Sequence, residues 1–194
     1  MRFIHIRGTN GVGKTTSVKC LINSHRAETK KTLVKGKEYP YVYCADIDAV
    51  VCGVYDERTC GGVDGFITNK TELQDYIISI LKNVRPAVVI MDSLIYGKTF
   101  TFGMALKSVV ERFGYKYIGL AFCPSPEKAV ERVLGRNGGK EFDVSNLLSG
   151  YNCVVYSSKK MKAAGADIRF IDTGKYRLEE MGTILEEAFS EKGN

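Results

Sequence analysis

Eight residues near the start of the chain, Gly8-Thr9-Asn10-Gly11-Val12-Gly13-Lys14-Thr15, follow the spacing GxxxxGK[ST]. Each residue type in that pattern meets a demand of polyphosphate binding. Glycines let the main chain curl so that several N–H groups converge on oxygen atoms, and a helix starting at Lys14 adds the positive end of its dipole. The Lys14 ammonium is expected to reach the β- and γ-phosphates, and the Thr15 hydroxyl to ligate magnesium. The expected ligands are therefore ATP and Mg2+. The expected binding set is Gly8, Asn10, Gly11, Val12, Gly13, Lys14, Thr15 and Thr16. A glycine-rich turn with no ligand is the weaker reading, because an apolar strand precedes the loop and a helical pattern follows it.

Three further groups could complete a transfer site. Asp92 ends the apolar run Ala87 to Met91 and is expected to hold magnesium directly or through water; a plain strand-ending turn is the alternative. The glycine- and acid-rich segment 52–66 follows a second parallel strand, so it should face the γ-phosphate across the cleft. A carboxylate there could take the proton of an attacking hydroxyl, Asp64 first and Asp56 second, against an ordinary Gly/Asp turn. Arg132 and Arg136 lie four apart on a helix and precede Asn137-Gly138-Gly139-Lys140. They are expected to act from a short lid, about 132–145, that closes over the triphosphate; a solvated basic face is the alternative. The loop Asp172 to Lys175 suits a base contact or a strand-to-helix turn equally. His5, inside a strand, and His25, at a helix end, are poor catalytic candidates. The tyrosines of 39–43 read as hairpin packing rather than a stacking platform.

These residues need a scaffold, and the chain alternates apolar strand runs with helical patterns throughout. That order predicts an α/β fold with about five parallel strands flanked by helices. Strands are expected at 3–6, 49–54, 87–91, 117–122 and 167–171, with a β-hairpin excursion formed by the segments between Thr32 and Cys44. Helices are expected from Lys14 to about Asn23 and from Thr71 to Asn83, the latter with Asn69 as cap and Glu72 three residues on. Another starts at Ser125-Pro126 and turns Ala129, Val130, Val133 and Leu134 inward. The last carries Leu178, Met181, Leu185 and Phe189 on one face. With 194 residues and 44% hydrophobic content, one domain spanning 1–194 is expected.

Composition narrows the partners. The six cysteines form no CxxC pair, which argues against a zinc cluster or a redox motif. A net charge of +6 suits an enzyme of polyanions without proving a nucleic-acid partner, since it includes scattered solvated pairs such as Lys30-Lys31 and Lys159-Lys160. The opening MRFIHIRGTNG has no signal-type pattern and no run reaches membrane-spanning length, so no membrane partner and a cytoplasmic location are expected.

The combination of RGTNGVGKTT, IMDSLIYG, CPSPEKAVERVLGRN and FIDTGKY resembles the nucleoside and nucleotide kinases of the P-loop NTPase fold. In that group an arginine-bearing lid follows the fourth strand and the loop after the fifth touches adenine. VVCGVYDERTCGGVDGF together with the short lid looks, more narrowly, like phage 5-hydroxymethyluracil DNA kinases, which phosphorylate a base already in DNA. That resemblance implies transfer of the γ-phosphoryl of ATP to a hydroxyl of a DNA base, in the host cytoplasm if phage-encoded. A kinase of free deoxynucleoside monophosphates or nucleosides shares every phosphate-side feature. The Asp-Arg-Tyr/His signature of thymidylate kinases is replaced by Asp92-Ser93-Leu94. A regulatory nucleotide switch is disfavoured, since Asn69-Lys70-Thr71-Glu72 departs from the guanine-reading NKxD.

Overall fold

The computed structural model describes residues 1–55 and 61–190. One seven-stranded sheet holds the chain together. Its strands are β1 (Arg2–Arg7), β2 (Ala27–Val34), β3 (Lys37–Cys44), β4 (Ala49–Cys52), β5 (Val88–Asp92), β6 (Lys116–Phe122) and β7 (Asp167–Ile171), in the order β2-β3-β4-β5-β1-β6-β7. β4, β5, β1, β6 and β7 run parallel, as expected from their apolar character. The hairpin is longer than the sequence suggests. It opens at Ala27, and β3 pairs antiparallel with β4, so β2 and β3 extend the main sheet rather than leaving it.

The inner parallel strands β4, β5, β1 and β6 are buried on both faces, and alternate residues enter opposite cores. Phe3, Val89, Met91 and Tyr117 pack on one side with Leu73, Ile77, Leu106, Val110 and Met161. Ile4, Ile6, Ile90 and Leu120 pack on the other with Val18, Leu21, Ala129 and Leu185. Each such aliphatic side chain withdrawn from water contributes about 1.5–3 kcal/mol. The first layer is covered by α2 (Lys70–Ser79), α4 (Phe100–Arg112) and α6 (Val144–Ala163), and the second by α1 (Lys14–Ser24), α5 (Pro126–Arg136) and α7 (Thr183–Ser190); the short α3 (Leu94–Gly97) follows β5.

Helix starts follow local chemistry. Asn69 Oδ1 accepts from the Thr71 N–H at 2.8 Å, and Ser125 Oγ accepts from the Lys128 N–H at 3.2 Å with Pro126 in the first turn. Glu72 turns away from the Asn69 cap to accept from the Tyr39 hydroxyl and to meet Lys37 at 3.5 Å. α2 passes into a π-helical turn over Ile80–Val84 before β5. Two inward assignments are corrected. Leu134 is 37% exposed, and Leu178, in a 3-10 turn ahead of α7, is 69% exposed. β1 lies between β5 and β6, where the strand order reverses, so its carboxyl end opens onto the crevice in which such sheets bind ligands.

Candidate active site

The glycine loop occupies that crevice, between β1 and α1. Gly13 adopts φ 96° as it leads into α1 and Gly11 adopts φ 77°. A methyl group on Gly11 would lie 2.3 Å from the Ala129 carbonyl oxygen, so the loop can seat against α5 only with glycine there. Val12 is fully buried beneath the loop, and its carbonyl accepts from the Thr173 hydroxyl at 2.7 Å. Lys14 Nζ donates to the Thr9 carbonyl at 3.0 Å and stands 3.7 Å from Asp92 Oδ1. The Thr15 hydroxyl donates to Asp92 Oδ2 at 3.4 Å.

Asp92 is 5% exposed. Burial raises its pKa, the nearby Lys14 ammonium opposes that rise, and the Asp64 carboxylate adds to it. A desolvated carboxylate beside a threonine hydroxyl is a donor set that fits magnesium, an ion that takes one or two protein oxygens and completes its shell with phosphate and water. Among the described residues, no group of three or more His, Cys, Asp or Glu forms a fuller metal cage.

Asp64 comes from the loop after β4. Its Oδ1 accepts from the Ser93 hydroxyl at 2.8 Å and its Oδ2 accepts from the Leu94 N–H at the start of α3. The Val63 N–H donates to the Asp92 carbonyl at 3.4 Å. The loop is thus tied to Asp92, which ends β5, and to the two residues after it, and it carries Asp64 to the same cavity as Lys14 and Asp92. Gly53 and Gly62 allow this. A methyl on Gly53 would lie 2.5 Å from the Gly62 carbonyl oxygen, and one on Gly62 2.9 Å from the Asp92 carbonyl oxygen. Asp56, the second base candidate, lies outside the described residues.

Arg132 and Arg136 both line the cavity, with different surroundings. Arg132 is half-buried and donates to the Thr173 hydroxyl at 3.3 Å and to the Thr173 carbonyl at 2.9 Å, whereas Arg136 is exposed at the last turn of α5. The connection from α5 to α6 spans only 137–143, with Gly138 and Gly139 at positive φ, and Asp143 Oδ1 caps α6 through the Asn146 N–H at 2.9 Å. The cavity has a volume of about 1070 Å³. Asn10, Gly11, Gly13 and Thr16 border it. Tyr176, Leu178 and Met181 form one wall, while Gly65, Phe66 and Leu94 form another. The volume lies just above the range usual for a single ligand and leaves room for a nucleotide together with a second reactant.

Several supporting residues carried no signal in the sequence. Arg7, the last residue of β1, is fully buried, and its guanidinium donates to the hydroxyls of Ser157 and Ser158 and to the carbonyls of Tyr96 and Gly97. It clamps α3 and α6 against the strand that leads into the glycine loop. His5, set aside as a catalyst, bridges the Tyr117 hydroxyl at 2.9 Å and the Ser93 carbonyl at 3.3 Å. Burial pushes its pKa well below the ordinary value, and the Arg7 charge pushes the same way. Ser93 and Thr173 are hydrogen-bonding links found only once the chain is folded. No membrane-spanning helix occurs among the described residues.

No family model matches the chain. It is similar to a protein described as 5-hmdU DNA kinase from Pseudomonas phage M6, with 26% identity over 180 residues, covering 88% of this chain and 91% of that protein. Among solved structures it aligns with the deoxyadenosine kinase of M. mycoides with bound dATP at a TM-score of 0.44 and 11% identity, over 97% of this chain and 100% of that one.

Proposed function

We propose that this chain, a P-loop phosphotransferase, moves the γ-phosphoryl group of ATP to a hydroxyl of a nucleic-acid base, with 5-hydroxymethyluracil in DNA as the acceptor. The observation that carries the reading is the convergence of Lys14, Thr15 and Asp92 on one cavity with Asp64 facing them from a separate loop. The similarity to the phage 5-hmdU DNA kinase, which runs along most of both chains, supports the choice of acceptor.

The glycine-loop N–H groups and Lys14 hold the triphosphate. Thr15 and Asp92 would hold magnesium, which when bound neutralises charge on the phosphate oxygens. The acceptor oxygen attacks the γ-phosphorus as the bond to the β,γ-bridging oxygen breaks, leaving ADP. The hydroxyl proton passes to Asp64. Both Asp64 oxygens already accept one hydrogen bond, which fixes the carboxylate and leaves further lone pairs for the acceptor. A strongly basic group is not required where transfer is loose and dominated by positioning. Arg132 and Arg136 neutralise charge spreading over the transferred group, acting from the 132–145 segment as a short lid. A base within DNA would leave the stack to enter the cavity.

The test is incubation with γ-labelled ATP and DNA carrying 5-hydroxymethyluracil, in parallel with free nucleosides and deoxynucleoside monophosphates. Label on the polymer at the modified base is the expected result. Label on the free nucleotides alone overturns the DNA assignment and leaves a mononucleotide or nucleoside kinase.

A further inference from the structure

We infer that the outer face of α4 and α6 is a docking track for the DNA strand that flanks the acceptor base, an inference that rests on the DNA reading above. Most of the surplus positive charge of the chain lies in this layer. Residues 93–112 and 144–166 contain Lys98, Lys107, Arg112, Lys159, Lys160 and Lys162 against one acid, Glu111. The rest of the chain then holds 22 basic residues (28 less 6) against 21 acidic ones (22 less 1). The two helices are neighbours on one side of the sheet. They cross so closely that a methyl on Gly103 of α4 would lie 2.4 Å from Met161 Sδ of α6.

The pairing of individual lysines sharpens the contrast. On the hairpin edge, Lys30, Lys31, Lys35 and Lys37 each meet a carboxylate, at 2.6 Å to Glu28, 2.6 Å to Glu38, 2.7 Å to Asp75 and 3.5 Å to Glu72. That face is internally neutralised. On the α4–α6 layer Lys107 pairs with Glu111 at 2.6 Å, but Lys98, Lys159, Lys160 and Lys162 are exposed with no carboxylate partner among the described residues. Uncompensated ammonium groups gathered on one face raise the local concentration of a polyanion.

The layer also exposes aromatic rings, which distinguishes a nucleic-acid strand from a simple anion. Tyr156 is 62% exposed with Lys160 Nζ 4.9 Å from its ring centre, and Phe170 on the adjoining β7 is 39% exposed with Lys162 Nζ 5.9 Å away. Rings standing among lysines suit unpaired bases that stack while the cations take the phosphates. The track begins at the catalytic cleft: a methyl on Gly150 of α6 would meet Thr9 Oγ1 of the glycine loop at 3.1 Å and Lys98 Cε at 3.8 Å. A strand lying along α6 therefore reaches the edge of the phosphate site.

The decisive experiment measures binding of a fluorescein-labelled single-stranded oligonucleotide, without any hydroxymethyl group, by anisotropy across a salt series. The variant Lys98→Ala/Lys160→Ala/Lys162→Ala is expected to bind about tenfold more weakly or worse. Its slope of log K against log salt should be shallower by about 2, at about 0.7 per lost phosphate contact on a single strand. Tyr156→Ala should weaken binding about fivefold or more. The hairpin control Lys31→Ala/Lys35→Ala should bind like the wild type, and ATP affinity should be the same in all four proteins. Wild-type binding that is absent, a triple variant that binds normally, or a control that loses as much overturns the track. With modified DNA as substrate, the triple variant should raise KM and keep kcat. A wild type that binds the oligonucleotide through this face yet phosphorylates only free nucleotides removes the acceptor assignment and leaves the track. A wild type that phosphorylates DNA with a KM the triple variant does not change removes the track alone.

Discussion

The Ser93 hydroxyl donates a 2.8 Å hydrogen bond to Asp64, joining the residue after β5 to a loop that leaves the sheet beyond β4. This bond orients the carboxylate proposed to receive the acceptor proton. Ser93→Ala should therefore lower kcat by about tenfold to a hundredfold while leaving the KM for ATP near its wild-type value, read from steady-state rates with each substrate varied in turn. Equal kcat in the variant would show that Asp64 needs no such orientation.

Removing the Lys14 ammonium takes away the cation that stands 3.7 Å from Asp92 at the glycine loop. Lys14→Ala is expected to reduce kcat by about 10²–10³, the scale of losing one preorganised electrostatic contact to a developing charge. A Lys14→Arg variant should recover little, because a planar fork is a poor substitute for a compact ammonium. Rapid-quench measurement of a single turnover separates this chemical loss from slower product release.

Asp92 is held where burial disfavours its charge, so its folded pKa lies above the ordinary 3.8. Its contribution to stability is present below pH 3.8 and is lost as pH rises through the raised folded value. At neutral pH the charge is thus a cost to the free protein. Asp92→Asn should abolish magnesium-dependent transfer and raise Tm by about 2–4 °C for each kcal/mol recovered. A calorimetric scan of the variant with a lower Tm would contradict this account of Asp92.

His5 gives the opposite pH dependence. It is neutral when buried, with a folded pKa well below the ordinary 6.5, so the unfolded chain binds the extra proton first. Stability should hold above pH 6.5 and fall below it by up to about 1.4 kcal/mol per pH unit, until the lowered folded value is reached. Urea denaturation at pH 7.5 and at pH 5.5 checks the sign, and His5→Gln should flatten the difference.

Gly11 makes a steric prediction. Gly11→Ala places a methyl 2.3 Å from the Ala129 carbonyl oxygen at φ 77°, so the loop must move off α5. The expected result is a stability loss of about 1–3 kcal/mol and markedly weaker ATP binding by calorimetric titration.

The glycine loop and the strand that delivers Asp92 were legible because their signals are local: eight consecutive residues specify the loop, and the apolar run before Asp92 specifies the strand. The five parallel strands were equally visible as apolar runs. What stayed hidden depends on distant partners. α6 shows no clear apolar period because its inward positions include Gly150, Ser157 and Ser158, and the two serines face Arg7 from the far end of the sequence. α4 is masked by Phe100, Thr101 and Phe102, residues that favour strands, and by Gly103, which is required where α6 crosses. The first half of β2 is polar because its side chains face water at an edge, so it offered no alternation to read. Leu178 was assigned inward by spacing alone, and the 3-10 turn that rotates it toward the cavity has no comparable sequence mark.

While β7 forms one border of the sheet, annexing the hairpin to β4 moves the other border out to β2, four strands from β1 and the glycine loop. An unpaired border is where sheets of neighbouring molecules can fuse, yet this one carries Glu28, Lys30 and Lys31 side by side. A strand added there would have to dehydrate that charged row, which opposes stacking into fibres or precipitates. The extension thereby keeps the edge of β4, and the loop that carries Asp64, away from intermolecular zippering.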